Sequence, residues 1–189
     1  LTNHDINRVM SQLGGDIDKS KVAASMLFTA PGIPFLYYGE EVGLLGMKPD
    51  EDIRRPMQWS AESNAGFSTG NPWREPDSNF EMVNVANQTN DPASLLSHYR
   101  NLIQLRNAYP VLQSGDFSII KSSNNKVFTS LRTGGDESVL ILINLSDDSV
   151  SDYELSIDES PMESGSYQLA PLIGPEVSSS LMIDQAGGF

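Results

Sequence analysis

Gly32 to Gly43 reads GIPFLYYGEEVG, and the fold of the first half of the chain turns on this stretch. Ile33-Pro34-Phe35-Leu36-Tyr37-Tyr38 is a continuous apolar run without alternation. Such a run predicts a strand buried on both faces, as in a parallel sheet. Gly39-Glu40-Glu41 closes it. Upstream, Asp18 is placed to cap a helix running through Val22, Ala23, Met26, Leu27 and Ala30, ended by Pro31-Gly32. Downstream, residues 44–90 are rich in Pro, Gly, Asn, Ser and Asp and show no period, which predicts a long loop of the kind that usually carries function. Asp91-Pro92 predicts the start of a second helix with Leu95, Tyr99, Leu102, Ile103 and Arg106 on one face. Arg106 is expected to extend its head to solvent, and Tyr109-Pro110 stops the helix. At the other end, Leu1-Thr2-Asn3-His4-Asp5 reads as a strand end running into a polar turn. The first half is therefore β-α-β-α.

The second half changes period. Short runs at 117–120, 127–132, 139–144, 153–157, 167–172 and 177–183 predict strands, separated by the turn signals Asn124-Asn125, Gly134-Gly135, Asp147-Asp148 and Gly174-Pro175. This spacing suggests an antiparallel β-sandwich. The expected class is α/β plus all-β, with an α/β part over 1–110 and a sandwich over 111–189. Two strands cannot cover both faces of a parallel sheet, so the α/β part reads as incomplete. In a barrel of eight β/α units these would be the last two, with the polar residues at their strand ends on the catalytic face.

Charge divides the 189 residues in the same way. Residues 1–132 hold all 12 Lys and Arg with 14 acids, whereas 133–189 hold 11 acids and no Lys or Arg. The net charge of −13 argues against nucleic acid or an anionic membrane surface as partner. No apolar run is long enough for a transmembrane helix. The absence of cysteine excludes disulfides, zinc thiolate sites and cysteine catalysis. Two histidines without clustered acids predict no metal site.

Three groups of residues can carry chemistry. Asn3, His4 and Asp5 combine an amide, an imidazole and a carboxylate able to hydrogen-bond a polyhydroxyl substrate, and a carboxylate beside a reacting sugar carbon stabilises an oxocarbenium-like transition state. The same tripeptide also suits a capped polar turn. Glu40 and Glu41 sit at a strand's C-terminal end, where catalytic-face residues lie, although acids also suit a helix N-terminus. In the long loop, Arg54 and Arg55 offer forks for hydroxyls or carboxylates, and Trp59, Phe67 and Trp73 offer faces for stacking on sugar rings or for pinning the loop. His98, beside the apolar stripe of the second helix, reads as structural.

Four strings in order resemble the α-amylase superfamily of glycoside hydrolases (family 13): LTNHD at 1–5, APGIPFLYYGEEVG at 30–43, RRPMQW at 54–59 and AGFSTGNPW at 65–73. SLLSHYRNLIQLRNAYPVLQSGDF at 94–117 resembles the final barrel helix of these enzymes and its exit. The combination of GEE with RRPMQW is most similar to the oligo-1,6-glucosidase and intermediate α-amylase branch, with Arg55 standing where Thr is usual. The resemblance implies the last two units of a (β/α)8 TIM barrel followed by the β-rich domain. It implies that Asp5 is the transition-state stabilising acid, that His4 binds the same sugar with Asn3 in support, and that Arg54 helps to close the pocket, paired with an Asp from an earlier segment.

The same resemblance places the nucleophilic Asp and the acid/base Glu on earlier strands. Retaining hydrolysis needs both, flanking the bond at about 5–5.5 Å, so the 189 residues alone are expected to be inactive. The expected whole is a retaining α-glucan hydrolase acting on malto- or isomalto-oligosaccharides. A transglycosylase, such as a trehalose or isomaltulose synthase, and a non-catalytic amylase-like domain are the alternatives. The expected partners are the α-glucan and the missing N-terminal barrel portion. No cofactor is expected in this chain, and calcium is compatible with the longer protein. The acidic surface points to an extracellular or periplasmic setting, with a cytoplasmic one as the alternative.

Overall fold

The computed structural model describes residues 1–174 and 180–184. It divides into two compact units, one formed by Leu1–Phe28 with Ile33–Gln104, the other by Thr29–Gly32 with the chain from Leu105 onward. Among the described residues no helix is long and apolar enough to cross a membrane.

The first unit is built on two helices, α2 (Ile17–Thr29) and α5 (Leu95–Ala108), with the short α1 (Val9–Gln12) ahead of α2 and the short α3 (Asp50–Ile53) and α4 (Val85–Thr89) between the two. Asp16, not Asp18, caps α2, its Oδ1 accepting from the Lys19 N–H at 3.0 Å. The buried stripe of α2 is Ser20, Ala24 and Phe28. The expected stripe through Val22, Ala23, Met26 and Leu27 is rotated away from the core, and Met26 is exposed. Apolar residues occur on both sides of this helix, so period alone could not choose. Phe28 decides, because its ring packs edge-on against Tyr99 at 5.8 Å and 89°, while Ala24 lets the backbone come close. Leu95, Tyr99 and Leu102 answer from α5, with Met10 from α1 closing the cluster. Ser94, not Asp91, caps α5, accepting from the Ser97 N–H at 3.1 Å. Asp91 shapes the preceding turn by accepting from the Ala93 N–H at 2.8 Å.

Residues 33–38 depart from expectation. No ladder reaches them among the described residues, Ile33 is 81 % and Phe35 79 % exposed, and the segment belongs to no sheet. A strand is defined by its neighbours. Here the backbone neighbour is Leu1, whose nitrogen lies 3.5 Å from the Phe35 carbonyl. The stretch 44–90 is less of a loop than its composition suggests. Besides α3 and α4 it contains a 3-10 turn at Ser63–Gly66, and Val42, Leu44, Met57 and Leu96 form a second apolar cluster.

The second unit is antiparallel. After α6 (Val111–Ser114), strands β1 (Asp116–Ile119), β3 (Val127–Gly134) and β4 (Glu137–Asn144) form one sheet in the order β1-β3-β4. Leu131 faces Leu140 and Phe128 faces Ile143 across the β3–β4 pair. β2 (Lys121–Ser122) pairs with β5 (Leu155–Ser156), and β6 (Gly165–Gln168) with β7 (Ser180–Ile183). The expected strand at 153–157 shrinks to two residues. The one at 167–172 ends at Gln168, ahead of Pro171, which has no N–H to give a ladder. Residues 177–179 of the last expected strand, Pro175 of the Gly174-Pro175 turn and Phe189 lie outside the described residues. β4 alternates, turning Val139, Ile141 and Ile143 inward, whereas β3 is buried on both faces from Thr129 to Arg132.

Two arginines of this unit are interior groups. Arg106 does not extend to solvent but donates to the carbonyls of Ala30 and Gly32 at 3.2 and 2.5 Å. Arg132, 0 % exposed, donates to those of Thr29, Gly115 and Asp116 at 3.0, 2.7 and 3.2 Å. Each carbonyl left without a donor in a closed site costs about 1–3 kcal/mol. Replacement Arg132→Met, which keeps much of the apolar stem, is therefore expected to destabilise the protein by about 2–4 kcal/mol, read as a lowered urea midpoint.

Candidate active site

Asn3, His4 and Asp5 form an exposed turn, stiffened by Asn3 Oδ1 accepting from the Asp5 N–H at 2.8 Å. His4 Nε2 lies 3.3 Å from Asp5 Oδ2. Arg54 reaches this turn across 49 residues of chain, with Nη2 at 3.2 Å from Asp5 Oδ1 and Nε donating to the His4 carbonyl at 2.8 Å. The same Nη2 lies 2.7 Å from Asp50 Oδ2. The hydrogen bond from Lys48, followed by the charge of Arg54, holds the Asp50 carboxyl below the usual carboxylate range. One guanidinium thus joins two carboxylates and a backbone carbonyl, using its fork in a way lysine could not.

Arg54 is also part of the wall of an open pocket of about 360 Å³, together with Glu41, Trp59, Phe67, Trp73, Tyr38, Pro56 and Met57. Five of the residues singled out in the sequence, Glu41, Arg54, Trp59, Phe67 and Trp73, therefore share one cavity. Glu40 does not. Its carboxylate is buried and accepts from the Thr2 N–H at 2.8 Å and from the Thr2 hydroxyl, tying residues 1–2 to the 40s. Asn3, His4 and Asp5 are linked to the cavity through Arg54. His98 stays in the interior of the helix pair, its Nε2 3.0 Å from Ser25 Oγ and 3.1 Å from the Lys21 carbonyl, and burial lowers its pKa.

The aromatic wall is held by backbone geometry. Asn64 and Ala65 have φ of 55° and 56°, and Gly66 of 65°. For alanine this left-handed conformation costs about 1–2 kcal/mol. It is retained because the Ala65 carbonyl accepts from the N–H groups of Trp59 and Ser60 at 2.9 and 3.1 Å, and Asn64 Nδ2 donates to the carbonyls of Ser68 and Gly70 at 3.1 and 3.0 Å. Trp59 and Phe67 are thereby set at the two ends of one turn.

Sequence reasoning missed Arg8. Its buried guanidinium donates to the Tyr38 carbonyl at 2.6 Å and lies 4.5 and 4.7 Å from the ring centroids of Tyr37 and Tyr38. Its Nε and Nη2 find no hydrogen-bond partner, and burial lowers its pKa. A single arginine ahead of a short apolar helix carries no signal of this role. Among the described residues no group of three His, Cys, Asp or Glu side chains could hold a metal ion.

Residues 1–115 match the family model "Alpha amylase, catalytic domain", and the chain belongs to this family. It is 38 % identical over 147 residues to "Alpha-amylase 3" of Dictyoglomus thermophilum, covering 77 % of this chain and 29 % of that protein. Against the "Oligo-1,6-glucosidase" of Heyndrickxia coagulans it is 30 % identical over 190 residues, covering 79 % and 34 %. Among solved structures, the alpha-amylase from H. orenii superposes with a TM-score of 0.75 at 35 % identity, over 94 % of this chain and 34 % of that one. An inactive double mutant of MutB in complex with isomaltulose gives a TM-score of 0.76 at 26 % identity, over 100 % and 41 %. The chain spans about a third of the length of the curated relatives it matches.

Burial raises the pKa of the Glu41 carboxyl. A raised carboxylate pKa means that the folded form holds the proton more tightly than the unfolded one, so stability falls as pH rises from the ordinary carboxylate range through the folded value. Glu41→Gln is therefore expected to raise the melting temperature at pH 7 relative to the parent and to give no gain near pH 4. Parallel thermal melts at the two pH values check this.

Proposed function

We propose that this chain is the C-terminal part of a retaining α-glucan hydrolase that cleaves α-glucosidic bonds in malto- or isomalto-oligosaccharides. In this reading residues 1–110 are the last two units of a (β/α)8 barrel and 111–189 the β-sandwich domain that follows. The observation that carries it is the position of Arg54, which bonds Asp5 on one side and lines an aromatic, partly acidic pocket on the other. Asp5 holds hydroxyls of the sugar at the cleaved bond and stabilises the positive charge that develops there. His4 donates to the same sugar, and Arg54 fixes the Asp5 carboxylate in place. The nucleophile and the proton donor come from outside these 189 residues. The names of the relatives, alpha-amylase and oligo-1,6-glucosidase, support the substrate class.

A second reading is sugar-to-sugar transfer, favoured by the likeness to the isomaltulose-bound MutB chain. The same carboxylates would serve, with the glycosyl-enzyme taken by a sugar rather than by water.

Maltoheptaose and isomaltose are offered to the full-length protein, to its Asp5→Asn variant and to the 189-residue chain, and products are resolved by chromatography. The expected result is cleavage by the full-length protein, a fall of about a thousandfold or more in the variant, and no turnover by the short chain. Transfer products in place of glucose move the second reading to the front. An inert full-length protein overturns both and leaves a non-catalytic, amylase-like domain.

A further inference from the structure

A second charged cluster lies on the same stretch as the pocket wall and is not used by any role described above. Asp52 Oδ1 accepts from Arg55 Nη2 at 2.7 Å and from Arg74 Nε and Nη2 at 3.0 and 2.6 Å. Arg55 Nη1 lies 3.3 Å from each of the carbonyls of Glu75 and Pro76. The side chain of residue 74 and the backbone of 75 and 76 are thereby tied to α3. These residues follow Trp73 directly, and 71–77 form no helix or strand that could place that ring by itself. Trp73 nevertheless lines the pocket with Trp59 and Phe67. The turn at 64–66 fixes the other two rings, so the position of the third falls to this clamp.

We propose that Asp52 is a positioning residue which, through Arg55 and Arg74, sets Trp73 as a wall of the pocket and so governs how tightly oligosaccharides longer than two sugar units are held. The inference rests on the α-glucan hydrolase reading. Asp52 is not among the residues that line the pocket. It gathers two cations that would otherwise repel each other, its half-buried carboxylate accepting from both through Oδ1. Arg55 is the position where the family pattern has Thr, a side chain too short to make the three contacts seen here. The ring it helps to place offers an apolar face to successive sugars, a contact that gives affinity in both ground and transition states and therefore acts on KM more than on kcat.

The test is a double-mutant cycle in the full-length enzyme, with initial rates on maltose and maltoheptaose. Asp52→Asn is expected to raise KM for maltoheptaose by about three- to tenfold, with kcat changed by less than about twofold and KM for maltose little altered. Arg74→Gln, at a more exposed guanidinium, is expected to do the same. In a Trp73→Ala background Asp52→Asn is expected to add nothing, because the ring it positions is gone. Additive effects of the two substitutions, a loss confined to kcat, or equal losses on maltose and maltoheptaose overturn the inference while leaving the hydrolase reading intact. Where the parent enzyme cleaves only isomalto-oligosaccharides, the same comparison is made on isomaltose and isomaltoheptaose, and a parent that cleaves none of these sugars overturns both.

Discussion

The side-chain amide of Gln58 holds together the part of the chain that forms the pocket. It is fully enclosed, and its Nε2 donates to Asn79 Oδ1 at 3.0 Å and to the Val83 carbonyl. The backbone of the same residue accepts from the Val85 N–H at 3.0 Å, and that of Trp59 from the Ala86 N–H at 3.0 Å. A segment without a sheet must still satisfy its buried backbone groups. Here side-chain amides do so: Gln58 for the 79–83 turn, Asn84 for the start of α4, and Gln88, which donates to the Val42 carbonyl at 2.8 Å and accepts from the Leu96 N–H at 3.0 Å. The aromatic residues of the wall inherit their positions from this frame.

Charge organises the exposed side of the same segment. Arg54 joins Asp5 to Asp50, and Arg55 with Arg74 closes on Asp52. Surface pairs of this kind contribute little to stability singly. Their value lies in geometry, since each guanidinium fork fixes the directions of the groups it binds. Adjacent arginines thus serve different ends, one facing the candidate catalytic turn and the other the loop behind it.

Much of this was legible in the sequence, and the remainder for physical reasons was not. The helices at 17–29 and 95–108 and the pairing of 127–134 with 137–144 follow from period and turn residues. Of the candidate residues, Glu41, Arg54, Trp59, Phe67 and Trp73 line one cavity and Glu40 does not. Glu40 could not be told from Glu41, since neighbouring acids differ only in which way the backbone turns them. The run 33–38 reads as a strand because its side chains suit one, but pairing depends on partners that no local pattern encodes. Arg106 reads as a surface cation, and nothing local marks Arg132, at the end of an expected strand, as a buried one. The carbonyls of Ala30, Gly32, Thr29 and Gly115 that draw them inward belong to distant positions.

Arg132 has one more property, which concerns proteases rather than packing. It is the last basic residue of the chain, and its side chain is fully enclosed. A trypsin-like enzyme therefore meets its final exposed cleavage site at Lys126, and the bond after Arg132 is shielded for as long as β3 keeps its place in the sheet. Opening of that strand uncovers one further bond, and cutting there separates off the stretch from 133 onward, which holds no Lys or Arg within this sequence. The fold thus makes the release of an intact acidic peptide a marker of unfolding in its own second unit.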